Sequence, residues 1–411
     1  MLDLRKGRAW LGGLAVVGAL IGAAATVQQA TAADNDKLVW SIPLPMTGPL
    51  AYNGNLFYNG WKDAIDWLNK SGGIKGRQID ARIYDDEYNV NVAVAGFKKA
   101  VADGDVVFAS IDGTSAVRAI SPENNDQYKI LTSNIDNTSD QVDQTKYPYN
   151  LLVMPTYDDM FQMVLQYIAE KKPGATIALV TSDSEFGRDP IEHGLARAKD
   201  LGLNVVLQET TKMSGVDVTP TAIKLRNAAA DYVIVHGYAA NVWPEVLKLS
   251  REYGVKSQFV VTIVAADPDL IKGIGPAADG VLGVMPFNII HQGSTAPMMQ
   301  VMEGYLKNWA SKPTPYIGYS TLAYSIPWAT VLMLKQVIGK AIDDGVPLTG
   351  DNLVKIAKAM PEIDMGGLYG DHPVHFVNSR IPFGIIYRFH VSDTAFSITP
   401  ETDFLQVTDA K

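Results

Sequence analysis

The chain has 411 residues, a formal net charge of −9, 47% hydrophobic residues and no cysteine. With no Lys/Arg block, that charge balance gives nucleic acid no electrostatic footprint to bind. The absence of cysteine excludes a disulfide framework, a lipid-modified cysteine and a thiolate metal site.

Arg5, Lys6 and Arg8 precede the apolar run "WLGGLAVVGALIGAAA", and Ala30-Thr31-Ala32 follows it. A positive segment, a short apolar segment and a small-residue site are the parts of a secretory signal, cut after Ala32. The alternative is an N-terminal membrane anchor. Against it, the run is broken by glycine and near the lower limit of roughly 17–25 residues for a span. Residues 1–32 are therefore set apart as a signal peptide, and the mature protein is expected to be soluble and periplasmic.

From Lys37 onward strand-like and helix-like runs alternate. "KLVWSIPLP" is a strand, "MTGPLAYNG" a loop, and "LFYNGWKDAIDWLNKSG" a helix in which Phe57, Trp61, Ile65 and Leu68 recur every three or four residues. "QIDARIYDD", "NVAVAGFKKAVADG", "VVFASID", "SAVRAISPENNDQY" and "KILTSN" continue the alternation. Strands separated by helices of this length imply βαβ crossovers and a parallel sheet. The pattern then restarts: a helix in "MFQMVLQYIAEKKPG", then strand, loop and helix in "TIALVTSDSEFGRDPIEHGLARAKDLG". "NVVLQETT", "VTPTAIKLRNAAA", "DYVIVHGYAANVWPEVLKLSREYG" and "QFVVTIV" complete the second round. Two Rossmann-like α/β lobes are the simplest account; one continuous large sheet is the alternative.

Later segments have to complete lobes begun earlier. "GVLGVMPFNII" reads as a strand, while "MMQVMEGYLKNWA", "YSTLAYSIPWATVLMLKQVIGKAI" and "LVKIAKAM" read as helices, the second kinked at Pro327. The tail "HPVHFVNSRIPFGIIYRFHV" reads as paired strands.

In doubly wound lobes ligands sit beyond the carboxyl ends of the strands, where loops lead into helices. Four such loops stand out: "MTGPLAYNG", "DGTSA", "SDSEFGRD" and "HGYAANVW". They are rich in glycine, hydroxyls and aromatics and poor in acid–base pairs. No G-x-S-x-G elbow or phosphate-binding G-x-x-x-x-G-K-[ST] loop occurs, and "GIGPAADG" lacks dinucleotide spacing. His372 and His375 flank Pro373, which opposes a helix that would align them as metal ligands. Nothing assembles a nucleophile, a base and an orienting group, so no enzyme, cofactor or metal site is expected.

Gly113, Thr114 and Ser115 lie at the mouth of a helix, where free N–H groups and hydroxyls suit a carboxylate. The plain alternative is that Thr114 or Ser115 caps its own helix. "SNIDNTSDQ" supplies a second polar turn in the same lobe, and Asp136 and Asp158 are acceptors for a ligand amine. Tyr52, Phe186 and Tyr238, one aromatic in each of three loops, are placed to close over an apolar ligand body.

On "IPLPMTGPLAYNG", "AIDWLNKSGGIKGRQID", "IYDDEYN", "AVAGFKKAV", "IALVTSDSEFGRD" and "DYVIVHGYAANVWPEVLKLSREYGV", the chain resembles the periplasmic substrate-binding proteins of ABC importers. The branch is the one that includes the leucine/isoleucine/valine-binding proteins, and the likeness spans nearly the whole mature chain. It implies the type I periplasmic-binding-protein fold: two lobes joined by a three-crossing hinge, closing on a ligand. Lobe 1 would comprise residues 35–156 plus 289–380, and lobe 2 residues 157–288 plus 381–411. Transferred residue by residue, the carboxylate-holding hydroxyl falls at Thr114 and the second polar loop at Asp136 and Asn137. The aromatics fall at Phe186 and Tyr238, and a pocket-lining position at Asn53. The family acid that helps hold a ligand ammonium falls at about Ile263, a departure from the family pattern that Asp136 or Asp158 would have to make good. The implied role is capture of a small carboxylate-bearing solute, either an amino acid or an amine-free organic or aromatic acid, for an inner-membrane ABC permease. A monomer is expected. A periplasmic sensor for a membrane receptor, or an amide/urea-type binder, is the alternative.

Overall fold

The computed structural model describes residues 37–212, 217–237, 242–291, 293–309 and 319–407. The proposed signal peptide and Tyr238 lie outside them. Among the described residues no helix is long and apolar enough to cross a membrane.

The first sheet is built from β1 (Lys37–Leu44), β2 (Gln78–Asp85), β3 (Val106–Ala109) and β4 (Leu131–Thr132). They run parallel in the order β2-β1-β3-β4. The crossovers are α1 (Ala51–Lys70), α2 (Val90–Ala102) and α3 (Thr114–Glu123). β1 is buried from Leu38 onward, which a central parallel strand requires because helices cover both faces. Trp40, Trp61 and Phe108 knit sheet to helix, with ring centroids 5.7–6.5 Å apart.

After β4 the chain crosses to α4 (Tyr157–Lys171), β5 (Thr176–Ser182), α5 (Glu185–Arg188), α6 (Ile191–Asp200) and β6 (Asn204–Thr211). Then follow α7 (Thr219–Ala228), β7 (Tyr232–His236), α8 (Trp243–Glu252), β8 (Gln258–Thr262), α9 (Pro268–Ile274) and β9 (Leu282–Met285). The chain returns to the first lobe for α10 (Pro297–Leu306), α11 (Leu322–Asp343) and α12 (Gly350–Ala359). A third crossing leads to β10 (Phe383–Val391), β11 (Phe396–Pro400) and β12 (Leu405–Gln406). The second sheet has the order β11-β10-β9-β8-β7-β5-β6, with β12 on β10. Its strands are parallel from β6 to β9 and antiparallel beyond. The alternative of one continuous sheet is therefore set aside.

The crossings are stitched together. Leu152 N–H donates to the Ser379 carbonyl (2.8 Å), and Ile381 N–H to the Leu152 carbonyl (3.1 Å). Beside them the Arg380 guanidinium grips both oxygens of Asp159, each side chain only 5% exposed. Asp159 also closes a capping box with Thr156 at the start of α4, so one carboxylate anchors a helix and a crossing strand together.

Three expected elements differ. α1 begins at Ala51, so Tyr52 and Asn53 sit in its first turn rather than in a loop. The Asp85 carboxylate accepts from the N–H groups of Met46 and Thr47 and from the Thr47 hydroxyl, which ends the loop early. β9 stops at Met285 because Pro286 has no N–H to continue a ladder. In the tail only β10 forms a strand of the expected pair, and its hairpin partner is β11, downstream. Upstream, Asn378 and Ser379 turn back at positive φ (46° and 61°), closed by Val377 and Arg380.

Candidate functional site: the cleft pocket

The carboxyl ends of the parallel strands in both lobes face a common cleft. Between them lies a pocket of about 480 Å³, open mouth included. Its apolar wall on the first lobe is Pro45, Leu50, Phe57, Ile135, Leu322 and Ile326; the second lobe adds Tyr157, Phe186 and Val264. Its other polar members are Asn53, Tyr88, Asp112 and Asp136, and among the described residues no Lys, Arg or His lines it.

The polar end is built around α3. Gly113, at φ 89° and ψ 121°, turns the chain from β3 into the helix, a conformation open essentially only to glycine. Its N–H donates to Asp136 Oδ2 (2.5 Å), the Thr114 hydroxyl to Asp136 Oδ1 (3.2 Å), and the Tyr157 hydroxyl to the same oxygen (2.8 Å). The helix N-terminus thus holds an anion, and that anion is the Asp136 side chain. Thr114 is buried (1% exposed) and turns its hydroxyl to this carboxylate. Burial pushes the Asp136 carboxyl up, against the pull of those donors.

Asp112 is different. It is 5% exposed, and its Oδ2 has no hydrogen-bond partner. Burial, then the charges of Asp136 and Asp86, push its carboxyl well above the usual range. Asp86 is buried as well and pushed up to about 6, chiefly by desolvation; its Oδ1 accepts from Tyr88 N–H (2.9 Å).

On the second lobe Phe186 is held from behind. Its ring packs edge-on to Tyr157 (4.9 Å) and against His236 (4.4 Å). The His236 ring nitrogens meet Phe186 O (3.0 Å) and Thr262 Oγ1 (2.7 Å). Burial lowers the His236 imidazole to about 4. It is therefore neutral, and because a carbonyl only accepts, Nε2 carries the proton toward Phe186.

Of the residues expected at the site, Asn53, Asp136 and Phe186 line the pocket. Ser115 borders an adjoining small cavity beside Asp86, Tyr88 and Asp112. Tyr52 spans the cleft instead: its hydroxyl donates to Asp267 (3.3 Å), and burial with the Asp267 charge raises it far above an ordinary phenol. Asn137 is buried, its amide directed to Pro155 O (3.4 Å). Ile263 is buried at φ 46°, and its neighbour Val264 reaches the pocket. Asp158 faces away, receiving Gln162 (2.9 Å) near His193 at a separate hinge cavity. Of the two acids weighed for a ligand amine, only Asp136 is placed to meet one. Asp112, Tyr88 and Tyr157 were missed. Asp112 closes the strand-like "VVFASID" and opens the loop "DGTSA", whereas Tyr157 follows a long crossing and carries no local signal.

Arg118 on α3 reaches Asp140 within its own lobe (3.4 Å) and, across the cleft, Asp189 (2.6 Å) and Glu185 (3.3 Å). Asp189, 3% exposed, also accepts from the N–H and hydroxyl of Ser139.

The periplasmic binding protein family description matches residues 42–378. The chain belongs to that family. It is 26% identical over 304 residues to a leucine-specific-binding protein of Salmonella typhimurium, covering 73% of this chain and 80% of that one. A branched-chain amino acid ABC transporter protein from Thermus thermophilus, solved with bound valine, superposes with TM-score 0.79 at 22% identity, covering 90% and 96% of the two chains. A solute-binding protein of an ABC transporter from Rhodopseudomonas palustris, in complex with 3,4-dihydroxybenzoic acid, gives 0.75 at 19% identity, covering 90% and 98%. The expected two-lobe fold is that of these structures.

Proposed function

We propose that this family member is a non-enzymatic extracytoplasmic solute receptor of an ABC importer, acting as a monomer. It captures a small organic solute, an amino acid in first place, and presents it to an inner-membrane permease. The lobes would divide at the stitched crossings, into 35–156 plus 289–380 and 157–288 plus 381–411. The carrying observation is the pocket itself: an apolar chamber with few polar groups, its walls shared between the two sheets. Such a chamber suits an apolar ligand body oriented by a small polar end. Because both lobes contribute, the closed form gains contacts that the open form lacks, so ligand shifts the population toward closure. The names of relatives point to amino acids and aromatic acids. Between these, an accepting polar end without a basic side chain favours the amine-bearing class.

The test is a thermal-shift screen of amino acids, aromatic acids and amides, followed by calorimetry. A ligand that binds only the folded state raises the melting temperature by mass action. A hit whose affinity drops about tenfold or more in Phe186→Ala supports the cleft, since an aromatic wall is lost. Binding indifferent to Phe186, or no hit in the screen, refutes the reading.

A further inference from the structure

Among the described residues the polar end of the cleft pocket holds two carboxylates and no basic side chain. One of them, Asp136, engages the donors at the mouth of α3. The other, Asp112, is 95% buried by its 5% exposure, lines the pocket, and leaves Oδ2 without a partner. An unpaired buried carboxyl costs free energy until a donor or cation reaches it. A solute carboxylate would meet two acids there, and the Gly113 N–H at the mouth of α3 is already donated to Asp136. Phe57, Tyr88, Tyr157 and Phe186 give the same pocket ring surface, which attracts a cation through the ring quadrupole. The apolar and aromatic lining of the pocket fits an organic cation, one with an apolar body.

We propose that the determinant of recognition is a protonated primary amine on an apolar body, seated between Asp112 and Asp136 within the aromatic wall, and that a solute carboxylate is dispensable. This rests on the pocket being the solute site. The groups facing Asp112 are Asp86 and Tyr88 from the turn after β2, Asp136 from the segment after β4, and Tyr157 from α4. None is a cation. Burial and the neighbouring acids hold the Asp112 carboxyl well above the usual carboxylate range and so favour its protonated form in the free protein. The ammonium then pairs with the carboxylate only as that proton leaves to solvent, so binding releases a proton and tightens as pH rises.

The experiment uses two apolar bodies, each in three forms: isopentylamine, leucine and 4-methylpentanoate; phenethylamine, phenylalanine and 3-phenylpropanoate. Calorimetry of the mature protein at pH 6, 7 and 8, in buffers of different ionisation enthalpy, gives affinity and protons released. The expected result is that at least one amine and its amino acid bind within about tenfold of each other. The matching acid binds at least 30-fold more weakly, amine binding releases protons, and its affinity rises from pH 6 to 8. Asp112→Asn should weaken amine binding at least 30-fold without lowering the melting temperature, because a buried unpaired acid has been removed. An acid binding as tightly as its amine, or amine binding without proton release, overturns the inference while leaving the pocket as the solute site. Failure of all six probes overturns the inference. The pocket reading falls with it only if the wider screen also finds no ligand.

Discussion

At Gly113 the backbone turns through φ 89° and ψ 121°, and a Cβ there would stand 3.1 Å from the Tyr88 ring. Gly113→Ala should cost about 1–3 kcal/mol, the usual range for a conformation that L side chains avoid. It should also loosen Asp136 by moving its N–H donor. A lowered urea midpoint at unchanged slope checks this, and wild-type stability contradicts it. His236 makes a second prediction, in pH. Its folded-state value of about 4 lies below the ordinary 6.5, so the unfolded chain binds the proton more readily. The stabilisation is complete above pH 6.5 and is lost as pH falls toward 4. Asp86 and Asp267, raised to about 6, and Asp269, raised to about 7, act with the opposite sign: their contribution fades as pH rises through those values. The whole-protein profile mixes both, so the decisive quantity is the stability difference between wild type and His236→Gln. It should shrink steadily from pH 7 to pH 4; a pH-independent difference would contradict a neutral, buried His236.

α1 and α11 pack where Gly60 lets their backbones approach: a Cβ on Gly60 would lie 2.5 Å from the Tyr324 carbonyl oxygen and 3.0 Å from the Pro327 ring. Backbone cannot yield as a side-chain tip can, so Gly60→Ala must push the helices apart. A loss of about 1–3 kcal/mol follows from overpacking a filled interior, read as a lower melting temperature; an unchanged one would mean the pair slides freely. This contact joins residues far apart in sequence, and it shows which parts of the fold were legible. The strand–helix alternation was, because burial on both faces forces apolar runs such as "KLVWSIPLP" and periodic helices such as the one bearing Phe57, Trp61 and Ile65. Element ends were less so, since α1 starts where the distant Asp85 gathers the loop before it. In the site, Asp136 and Phe186 were readable from loop position, and Asn53 only through the family resemblance. Asp136 as the occupant of the α3 mouth was not, because only tertiary structure brings the segments after β3 and β4 together. Tyr157 enters by the same route, from the first turn after a crossing.

For the whole molecule the decisive equilibrium is between open and closed lobes. Polar contacts that span the cleft apart from any ligand include Tyr52 to Asp267, and Arg118 to Glu185 and Asp189 at α5. The second should matter more. Asp189 is nearly fully buried, so opening the cleft strips it of both the Arg118 cation and the Ser139 N–H and hydroxyl, which sit together on the first lobe; a buried charge separated from its partners is costly. Arg118 itself is one-third exposed, and salt screens its outer contacts with Asp140 and Glu185. Arg118→Ala should therefore shift the ligand-free population toward the open form. Ligand affinity falls in proportion to the closed fraction lost, because binding must then restore closure. A weakening of about tenfold, or roughly 1.4 kcal/mol, is expected together with a larger radius of gyration in small-angle scattering without ligand. At saturating ligand the radius should return to the wild-type value, since ligand contacts from both lobes still favour closure. A variant with wild-type radius and affinity would show that Arg118 decorates the cleft edge without holding it shut. A radius that stays large at saturation would place Arg118 in the closed-state framework rather than in the latch.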